Sequence, residues 1–444
     1  MTKTLVFCGP MATRSGYGTH ARMICKSLLT YQDRYDVKFI SMPWGQTPMD
    51  ALDPETDREI INRILSQNQL SFKPDIWIQC TIPSEMQRVG EWNVLITAAT
   101  EADFMPEAFV HGCNQADLII TPSQFSAKVI TNTLLEKVDS RTNQVVESVK
   151  VKTPVEVLFE GVDERVFGKP SRVKGEVSRS IDEIPEKFCL LFVGHWLQGT
   201  IGADRKDVGM LIQTFLQTFM KKGKSKRPAL ILKTSGAGFS LTERNQILDK
   251  IWQIKEMIRE RDKFEGRFPS IYLINGELTD AEMAEMYHHP KVKSMITFTK
   301  AEGYGLPLAE FAFTGKPIIA PNYSGYLDFI LPDHHALLPV QLVDVHPSAV
   351  NNWIPKSSKW SQVNYMFAGQ VMENMIDHYS KYLERSRKSP KFMRDNFTLV
   401  KMTEKLSDIL IARCNLPEKK AIKLPELTAI DGPKINLPTL TKIT

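Results

Sequence analysis

The stretch TKAEGYGLPLAEFAFTGKPIIAP, residues 299–321, decides the fold of the second half of this chain. The run SMITFTK (294–300) leads into a glycine-rich loop, a pattern typical of a buried strand followed by a turn. A helix is predicted to begin near Leu306, because Pro307 falls in its first turn, where a missing N–H costs nothing. The sequence therefore predicts a strand, a loop and a helix in direct succession.

The loop of this stretch, Gly303-Tyr304-Gly305, has the features of a phosphate-binding turn. Glycines let the backbone approach a ligand closely, and the free N–H groups and positive dipole end of a helix favour an anion. Glu302 stands at the strand end and Glu310 lies about one turn into the helix, so both are expected to face one cleft. The alternative is an ordinary strand–turn–helix with two solvated glutamates.

Short apolar runs alternate with amphipathic stretches along most of the chain, as in TLVFC, VKFIS and DIWIQC and later in FCLLFVGH, ALILKTS and SIYLING. Continuous apolar runs are typical of parallel strands buried on both faces. The pattern predicts an α/β protein with two doubly wound Rossmann-like domains that face each other across a cleft. The predicted segments are an N-terminal domain (1–167), a polar linker (168–187), a C-terminal domain (188–389), a helix packing back on the N-terminal domain (390–413) and an extended or disordered tail (414–444).

The composition is that of an ordinary globular protein: of 444 residues, 42% are hydrophobic and 24% charged. The net charge of +5 is compatible with an anionic ligand and does not by itself indicate nucleic acid. Six cysteines are scattered without a Cys-x-x-Cys pair, which favours reduced thiols over a disulfide framework or a zinc site. Because no signal-peptide pattern and no run of ~18 apolar residues occurs, we expect a cytoplasmic protein without a transmembrane segment.

Glu302 and Glu310, with Gly303, Gly305, Leu306 and Pro307 between them, resemble the donor-binding signature of the family-4 retaining glycosyltransferases, which have the GT-B fold. The resemblance extends over about residues 4–340. Its other segments are SGYGTHARMICKSL (15–28), TEADFMPEAF (100–109), FEGVDERVF (159–167) and FVGHWLQGTIGADRKDVGMLIQTF (192–215).

The resemblance implies an enzyme that moves a sugar from a nucleotide-diphosphate sugar to a hydroxyl acceptor with retention of anomeric configuration. The C-terminal domain is implied to hold the donor and the N-terminal domain the acceptor. Glu302 matches the glutamate beside the donor sugar, Glu310 the one that accepts hydrogen bonds from ribose hydroxyls, and Lys206 the lysine that neutralises the diphosphate. The resemblance places Glu101 on the acceptor side. It assigns further donor contacts to the loop and helix start and to the first glycine-rich loop: Gly303, Tyr304, Gly305, Leu306, Gly16 and Gly18.

This chain departs from the family pattern at one strand end, where an arginine usually follows the glycine and His195 stands here. A neutral imidazole is a weaker phosphate partner than a guanidinium group. A lengthened loop follows and ends in two adjacent cations, Arg205 and Lys206. We predict that both cations carry the diphosphate, with His195 as a weaker donor-side residue. The alternative is that Lys206 acts alone and Arg205 is solvated.

No Asp-x-Asp sequence occurs, so we expect cationic side chains rather than a metal ion to neutralise the diphosphate. The acceptor stays open among a glycan, a small molecule and a hydroxymethylated pyrimidine in DNA. Two other kinds of protein are also compatible with the pattern. One is a nucleotide-sugar epimerase of similar two-domain form, and the other is a scaffold that binds a nucleotide sugar without turnover.

Overall fold

The computed structural model describes residues 3–33, 35–66, 70–139, 141–142, 144–169, 174–196, 199–236 and 240–414. Except for Cys414, which ends the last helix, the predicted tail 414–444 lies outside the described residues. No helix among the described residues is both long and apolar enough to cross a membrane.

The N-terminal domain is built on a sheet of six strands: Lys3–Gly9 (β1), Tyr35–Ser41 (β2), Ile76–Cys80 (β3), Trp92–Ile96 (β4), Leu118–Thr121 (β5) and Val155–Val157 (β8). Their order is β2-β1-β3-β4-β5-β8, and every neighbouring pair is parallel. An antiparallel pair lies outside this sheet, Leu134–Val138 (β6) with Val145–Lys150 (β7). Its helices are Gly16–Leu28 (α1), Arg58–Ile61 (α2), Glu107–Cys113 (α3), Gln124–Asn132 (α4) and Glu164–Phe167 (α5).

The C-terminal domain repeats this architecture with six strands: Cys189–Val193 (β9), Ala229–Lys233 (β10), Ile271–Ile274 (β11), Val292–Ile296 (β12), Ile318–Pro321 (β13) and Ala336–Leu338 (β14). They are parallel and follow the order β11-β10-β9-β12-β13-β14. Its helices are Val208–Phe219 (α7), Leu241–Asp262 (α8), Asp280–His288 (α9), Leu306–Ala312 (α10), Tyr365–Asp377 (α11) and Tyr379–Ser386 (α12). The strand interiors are buried because helices cover both faces of the sheet, which explains their continuous apolar runs. The predicted pair of doubly wound domains is confirmed.

Three further helices lie where the chain passes from one domain to the other, once in the stretch 168–187 and once near the C-terminal end. Within the polar stretch 168–187, Glu176–Asp182 (α6) forms a short helix that contacts α9. At the C-terminal end, Ser389–Asn396 (α13) and Leu399–Cys414 (α14) are separate helices rather than one continuous helix. The second of these packs on α1, where the hydroxyls of Ser27 and Thr403 lie 2.8 Å apart.

A hairpin of the C-terminal domain reaches across to the N-terminal domain; we call residues 340–363 the cleft arm. Its two strands, Val340–Asp344 (β15) and Lys359–Val363 (β16), pair antiparallel. Residues of the arm form a small apolar cluster with Ala102 of the N-terminal domain: Val345, Ala349 and Ile354 between the strands and Trp360 in β16. Hydrogen bonds reinforce this contact, since Asp103 N donates to Lys359 O at 3.0 Å and Ser358 Oγ donates to Phe104 O at 3.0 Å. The arm therefore joins the two domains beside the cleft.

Candidate functional site

Glu302 is the centre of a group of charged and polar side chains in the cleft. It follows β12 and is buried, with its Oε1 accepting hydrogen bonds from Lys206 Nζ and, at 2.7 Å, from Thr299 Oγ1. Its Oε2 accepts a bond of 3.2 Å from Arg205 Nη1. The backbone is fixed as well, because Glu302 N donates to Ser324 Oγ at 3.1 Å. Every oxygen of this carboxylate therefore has a charged or hydroxyl donor.

The electrostatic environment keeps Glu302 ionised. Burial alone would raise its pKa, but the positive charges of Lys206 and Arg205 outweigh the burial and hold the pKa at about 2. At neutral pH the group is therefore a fixed negative charge that two cations share.

Arg205 connects the two domains through this group. Its Nε lies 2.8 Å from Glu101 Oε2 of the N-terminal domain, and its Nη1 also donates to Ala301 O at 2.9 Å. Adjacent residues often point apart, yet Arg205 and Lys206 both contact Glu302. Gly202, with φ of +81°, and Asp207, with φ of +53°, give the loop the left-handed conformations that bend it inward. The guanidinium group thus lies in the cleft and brings Glu101 to the predicted site.

The loop Gly303–Gly305 packs against the N-terminal domain. Gly303 O accepts a hydrogen bond of 2.6 Å from Ser123 Oγ, and a Cβ at Gly303 would lie 2.7 Å from Ala98 Cβ. Gly305 caps α10 with φ of +95°, a conformation that favours glycine. Tyr304 and Leu306 are buried, with the Tyr304 ring 4.9 Å from that of Phe329, so only their backbone groups are suited to the predicted donor contact.

Glu310 lies on α10, as predicted, and is buried. Tyr287 Oη donates a hydrogen bond of 3.0 Å to its Oε2. Burial, with a smaller effect of Asp280, raises the pKa of Glu310 well above its ordinary value. Glu310 therefore differs from Glu302: its partner is a hydroxyl group rather than two cations, and burial raises its pKa instead of charges lowering it.

His195 follows β9, and Gly16 and Gly18 of the first glycine-rich loop lie in the first turn of α1. The His195 ring contacts the loop after β10, where its Nδ1 is 3.2 Å from Gly236 O, and burial together with Lys206 lowers its pKa. Gly18 allows α1 to approach its preceding loop, because a Cβ there would lie 2.2 Å from Thr13 O. A Cβ at Gly16 would meet no atom within 4 Å. Packing explains Gly18, whereas the donor role of both glycines stays a prediction.

Two residues of the cleft were missed by the sequence analysis. Glu160, which follows β8, lies with His20 of α1, and their Oε1 and Nδ1 are 3.6 Å apart. Burial raises the pKa of Glu160 to about 8, with the charges of Glu302 and Glu101 adding to the effect. Burial also lowers the pKa of His20 to about 4. The one sequence signal for Glu160 is its position in FEGVDERVF, because that segment resembles a family motif at the end of the first domain.

Metal ligands were not expected. In the parts of the chain that the structure describes, no three His, Cys, Asp or Glu side chains lie together in a way that could hold a metal ion. Whether the chemistry is independent of metal stays a prediction.

The two parallel six-stranded sheets, with a cleft between them and a charged loop–helix unit on the C-terminal side, define the GT-B glycosyltransferase fold. The chain is similar in structure to Anabaena HepE in complex with UDP-glucose, with a TM-score of 0.61 and 12% sequence identity over 92% of this chain and 99% of that one. It is also similar to sucrose-phosphate synthase from Thermosynechococcus elongatus, with a TM-score of 0.60 and 11% identity over 93% and 99% of the chains.

A third similar structure is WaaG, a glycosyltransferase involved in lipopolysaccharide biosynthesis, with a TM-score of 0.54 and 12% identity over 91% of this chain and 99% of that one. At these identities the likeness establishes the fold. No family model matches the sequence, and no curated protein sequence matches it.

Proposed function

We propose that this protein is a retaining glycosyltransferase that takes a sugar from a nucleotide-diphosphate sugar and transfers it to a hydroxyl acceptor. The observation that carries the proposal is the charged group around Glu302, in which Lys206 and Arg205 meet one buried carboxylate next to the loop Gly303–Gly305. This group lies between the two domains, because Arg205 also contacts Glu101 of the N-terminal domain.

The chemistry of transfer requires stabilisation of the departing diphosphate. Negative charge develops on the leaving phosphate, and preorganised cations lower the energy of that transition state. Glu302 holds Lys206 and Arg205 in place, so the two cations need little reorganisation when the phosphate charge develops. Glu302 is ionised and lies beside them, so it is positioned to orient the donor sugar and to favour positive charge at the anomeric carbon.

The nucleotide has a separate anchor in this proposal. Tyr287 occupies Oε2 of Glu310, and Oε1 is the atom that we assign to a ribose hydroxyl. Support for the donor class comes from HepE, whose structures contain UDP with glucose and UDP-glucose. We assign the reaction to the cytoplasm because all six cysteines are free and five are buried.

The first test is calorimetry with UDP, GDP and ADP, followed by assays of nucleotide release from the matching nucleotide sugar with candidate acceptors. We expect one nucleotide to bind and its sugar donor to release nucleoside diphosphate faster when an acceptor is present. Nuclear magnetic resonance of the product then reports whether the anomeric configuration is retained. Binding without any release would indicate a scaffold, and conversion of the donor sugar to its epimer would indicate an epimerase.

Chelation tests the proposed role of the cations. We expect turnover to survive EDTA, because Lys206 and Arg205 take the place of a metal ion at the diphosphate. Loss of turnover in EDTA with recovery on adding magnesium or manganese would contradict this part of the mechanism.

A further inference from the structure

Three aromatic side chains lie together on the acceptor side of the cleft, and we call Tyr17, Trp44 and Trp353 the aromatic platform. The rings of Tyr17 and Trp44 are stacked, with centroids 4.1 Å apart and an interplanar angle of 18°. Trp353 lies 6.2 Å from Trp44 at an angle of 47°. Although it is a large apolar residue, Trp353 is 48% exposed. The platform thus combines a stacked pair with a tilted, half-exposed indole.

The platform adjoins the charged group of the proposed donor site. Tyr17 Oη accepts a hydrogen bond of 2.9 Å from Ala98 N. Ala98 in turn packs on Gly303, where an added Cβ would lie 2.7 Å from Ala98 Cβ. Gly303 directly follows Glu302 in the chain. Ala98 is therefore the one residue between Tyr17 of the platform and the loop next to Glu302.

Trp353 is held in place rather than left to move freely. Its backbone N–H donates to Asn351 Oδ1 at 2.8 Å, and its carbonyl accepts a bond of 2.8 Å from Thr100 Oγ1 of the other domain. The next residue, Ile354, is buried in the small cluster between the domains. A preorganised aromatic ring loses little entropy when a ligand binds to it. The cleft arm therefore presents Trp353 to the platform as a fixed surface.

The charges around the platform favour a neutral ligand. Arg14 donates its backbone N–H to Pro48 O in the loop that carries Trp44. Its guanidinium group is already bound by two carboxylates, Asp50 at 2.8 Å and Glu277 at 2.5 Å. A nucleic acid needs cations for its phosphates, whereas this cation is neutralised. Asp50 is largely exposed and is a good acceptor for hydroxyl groups.

We propose that the aromatic platform is the acceptor site and that its ligand is a neutral carbohydrate whose ring packs on Trp353 and Trp44. The C–H groups on one face of a pyranose are weakly positive and fit the negative face of an indole. The ring's hydroxyl groups are then available to carboxylates at the rim. This inference rests on the proposed function, because it names the acceptor class for that transfer.

The test is saturation-transfer nuclear magnetic resonance of the full-length protein with maltose, cellobiose and lactose, each titrated for a dissociation constant. We expect at least one disaccharide to bind, with the strongest saturation on its ring C–H protons. Trp353→Ala is expected to weaken that binding about tenfold, and Trp353→Phe to weaken it less, because phenylalanine keeps an aromatic face. Trp252→Ala, at a tryptophan of α8 that is 62% exposed, is the matched control and is expected to bind the sugar normally.

The proposal would be overturned if no disaccharide binds, if Trp353→Ala binds the sugar like the unaltered protein, or if a single-stranded DNA oligonucleotide displaces the sugar and its own binding depends on Trp353. UDP titrations on the same samples separate this test from the proposed function. Absence of UDP, GDP and ADP binding in the unaltered protein counts against the transferase, while sugar binding reports on the platform alone. Joint loss of nucleotide and sugar binding in Trp353→Ala would also contradict the proposal, because the indole would then hold the domains together.

Discussion

On the C-terminal side of the cleft, Glu302 is a buried carboxyl group whose pKa is about 2, while on the N-terminal side Glu160 is another whose pKa is raised to about 8. Burial acts in the same direction on both, since it disfavours a charged carboxylate. The difference comes from their partners. Glu302 meets a lysine and an arginine, whereas Glu160 lies near His20, whose own pKa burial lowers to about 4.

This contrast separates the two sides of the cleft by charge. The C-terminal side carries a permanent ion-pair group, suited to a charged diphosphate. The N-terminal side carries a protonated carboxyl group, a neutral imidazole and two members of the aromatic platform, Tyr17 and Trp44, which suit an uncharged ligand. The two sides meet where Arg205 contacts both Glu302 and Glu101.

The largest effect is expected from Glu302→Gln, which removes the charge that distinguishes the C-terminal side. We expect turnover to fall about a hundredfold, in the range seen when a preorganised electrostatic group is lost. Nucleotide affinity should change little, because Glu310 and not Glu302 is assigned to the ribose. Steady-state kinetics with calorimetry on the same variant checks both parts. Near-normal turnover would remove Glu302 from the mechanism.

Removing either Arg205 or Lys206 leaves Glu302 with less positive charge around its carboxyl group, as is the case for Glu160. We expect Arg205→Ala and Lys206→Ala each to lower kcat/KM about ten- to a hundredfold, as for loss of a charge-assisted phosphate contact. The pKa of Glu302 should rise in both variants, so the acid limb of the pH–rate profile is expected to move to higher pH. Lys221→Ala, at an exposed lysine, is the control for a simple loss of one positive charge. A normal Arg205→Ala enzyme would leave Lys206 as the sole diphosphate cation.

The assignment of Glu310 to a ribose hydroxyl predicts a smaller effect, which is limited to nucleotide affinity. Glu310→Gln keeps an acceptor for Tyr287, so the buried hydroxyl stays bonded. We expect it to bind UDP about tenfold more weakly, because a hydrogen bond to a carboxyl group is replaced by a weaker one. The unaltered protein should bind UDP more tightly than 2′,3′-dideoxy-UDP, and the variant should lose most of that difference. An unchanged preference for the ribose hydroxyls in Glu310→Gln would contradict the assignment.

The sequence alone predicted the fold, and it predicted the strand–loop–helix unit of the C-terminal side because strand, loop and helix signals are local there. Glu302, Gly305 and Glu310 lie within nine consecutive residues, so their arrangement follows from one strand–loop–helix unit. The cleft arm was not predicted, since Trp353 lies beyond the end of the resemblance near residue 340. Glu160 and His20 are far apart in the chain, and the state of their protons depends on burial that no local pattern encodes.

The last and smallest effect concerns the free energy of unfolding. It tests the pair Glu160 and His20, which the sequence did not predict. Between pH 4.5 and about 8, Glu160 holds its proton when the protein is folded and loses it when the protein unfolds. The unfolded state therefore binds fewer protons, and the free energy of unfolding falls as pH rises through this window. Glu160→Gln has the shape of the protonated form and no proton to lose. We expect the variant to gain stability relative to the unaltered protein as pH rises, by about 1 kcal/mol or more at pH 8.

Denaturant unfolding at a series of pH values measures this difference, with Glu156→Gln as a control at a surface carboxylate that Arg413 contacts at 2.5 Å. The Glu156 variant should show no such gain toward high pH, because its carboxylate lies at the surface beside a cation rather than buried without one. His20→Asn sharpens the result further. His20 is already neutral at neutral pH, so its replacement should leave the pH window of Glu160 in place. If His20→Asn abolishes the window, the imidazole governs the proton of Glu160, and the contrast with Glu302 reflects a coupled pair rather than burial without a cation.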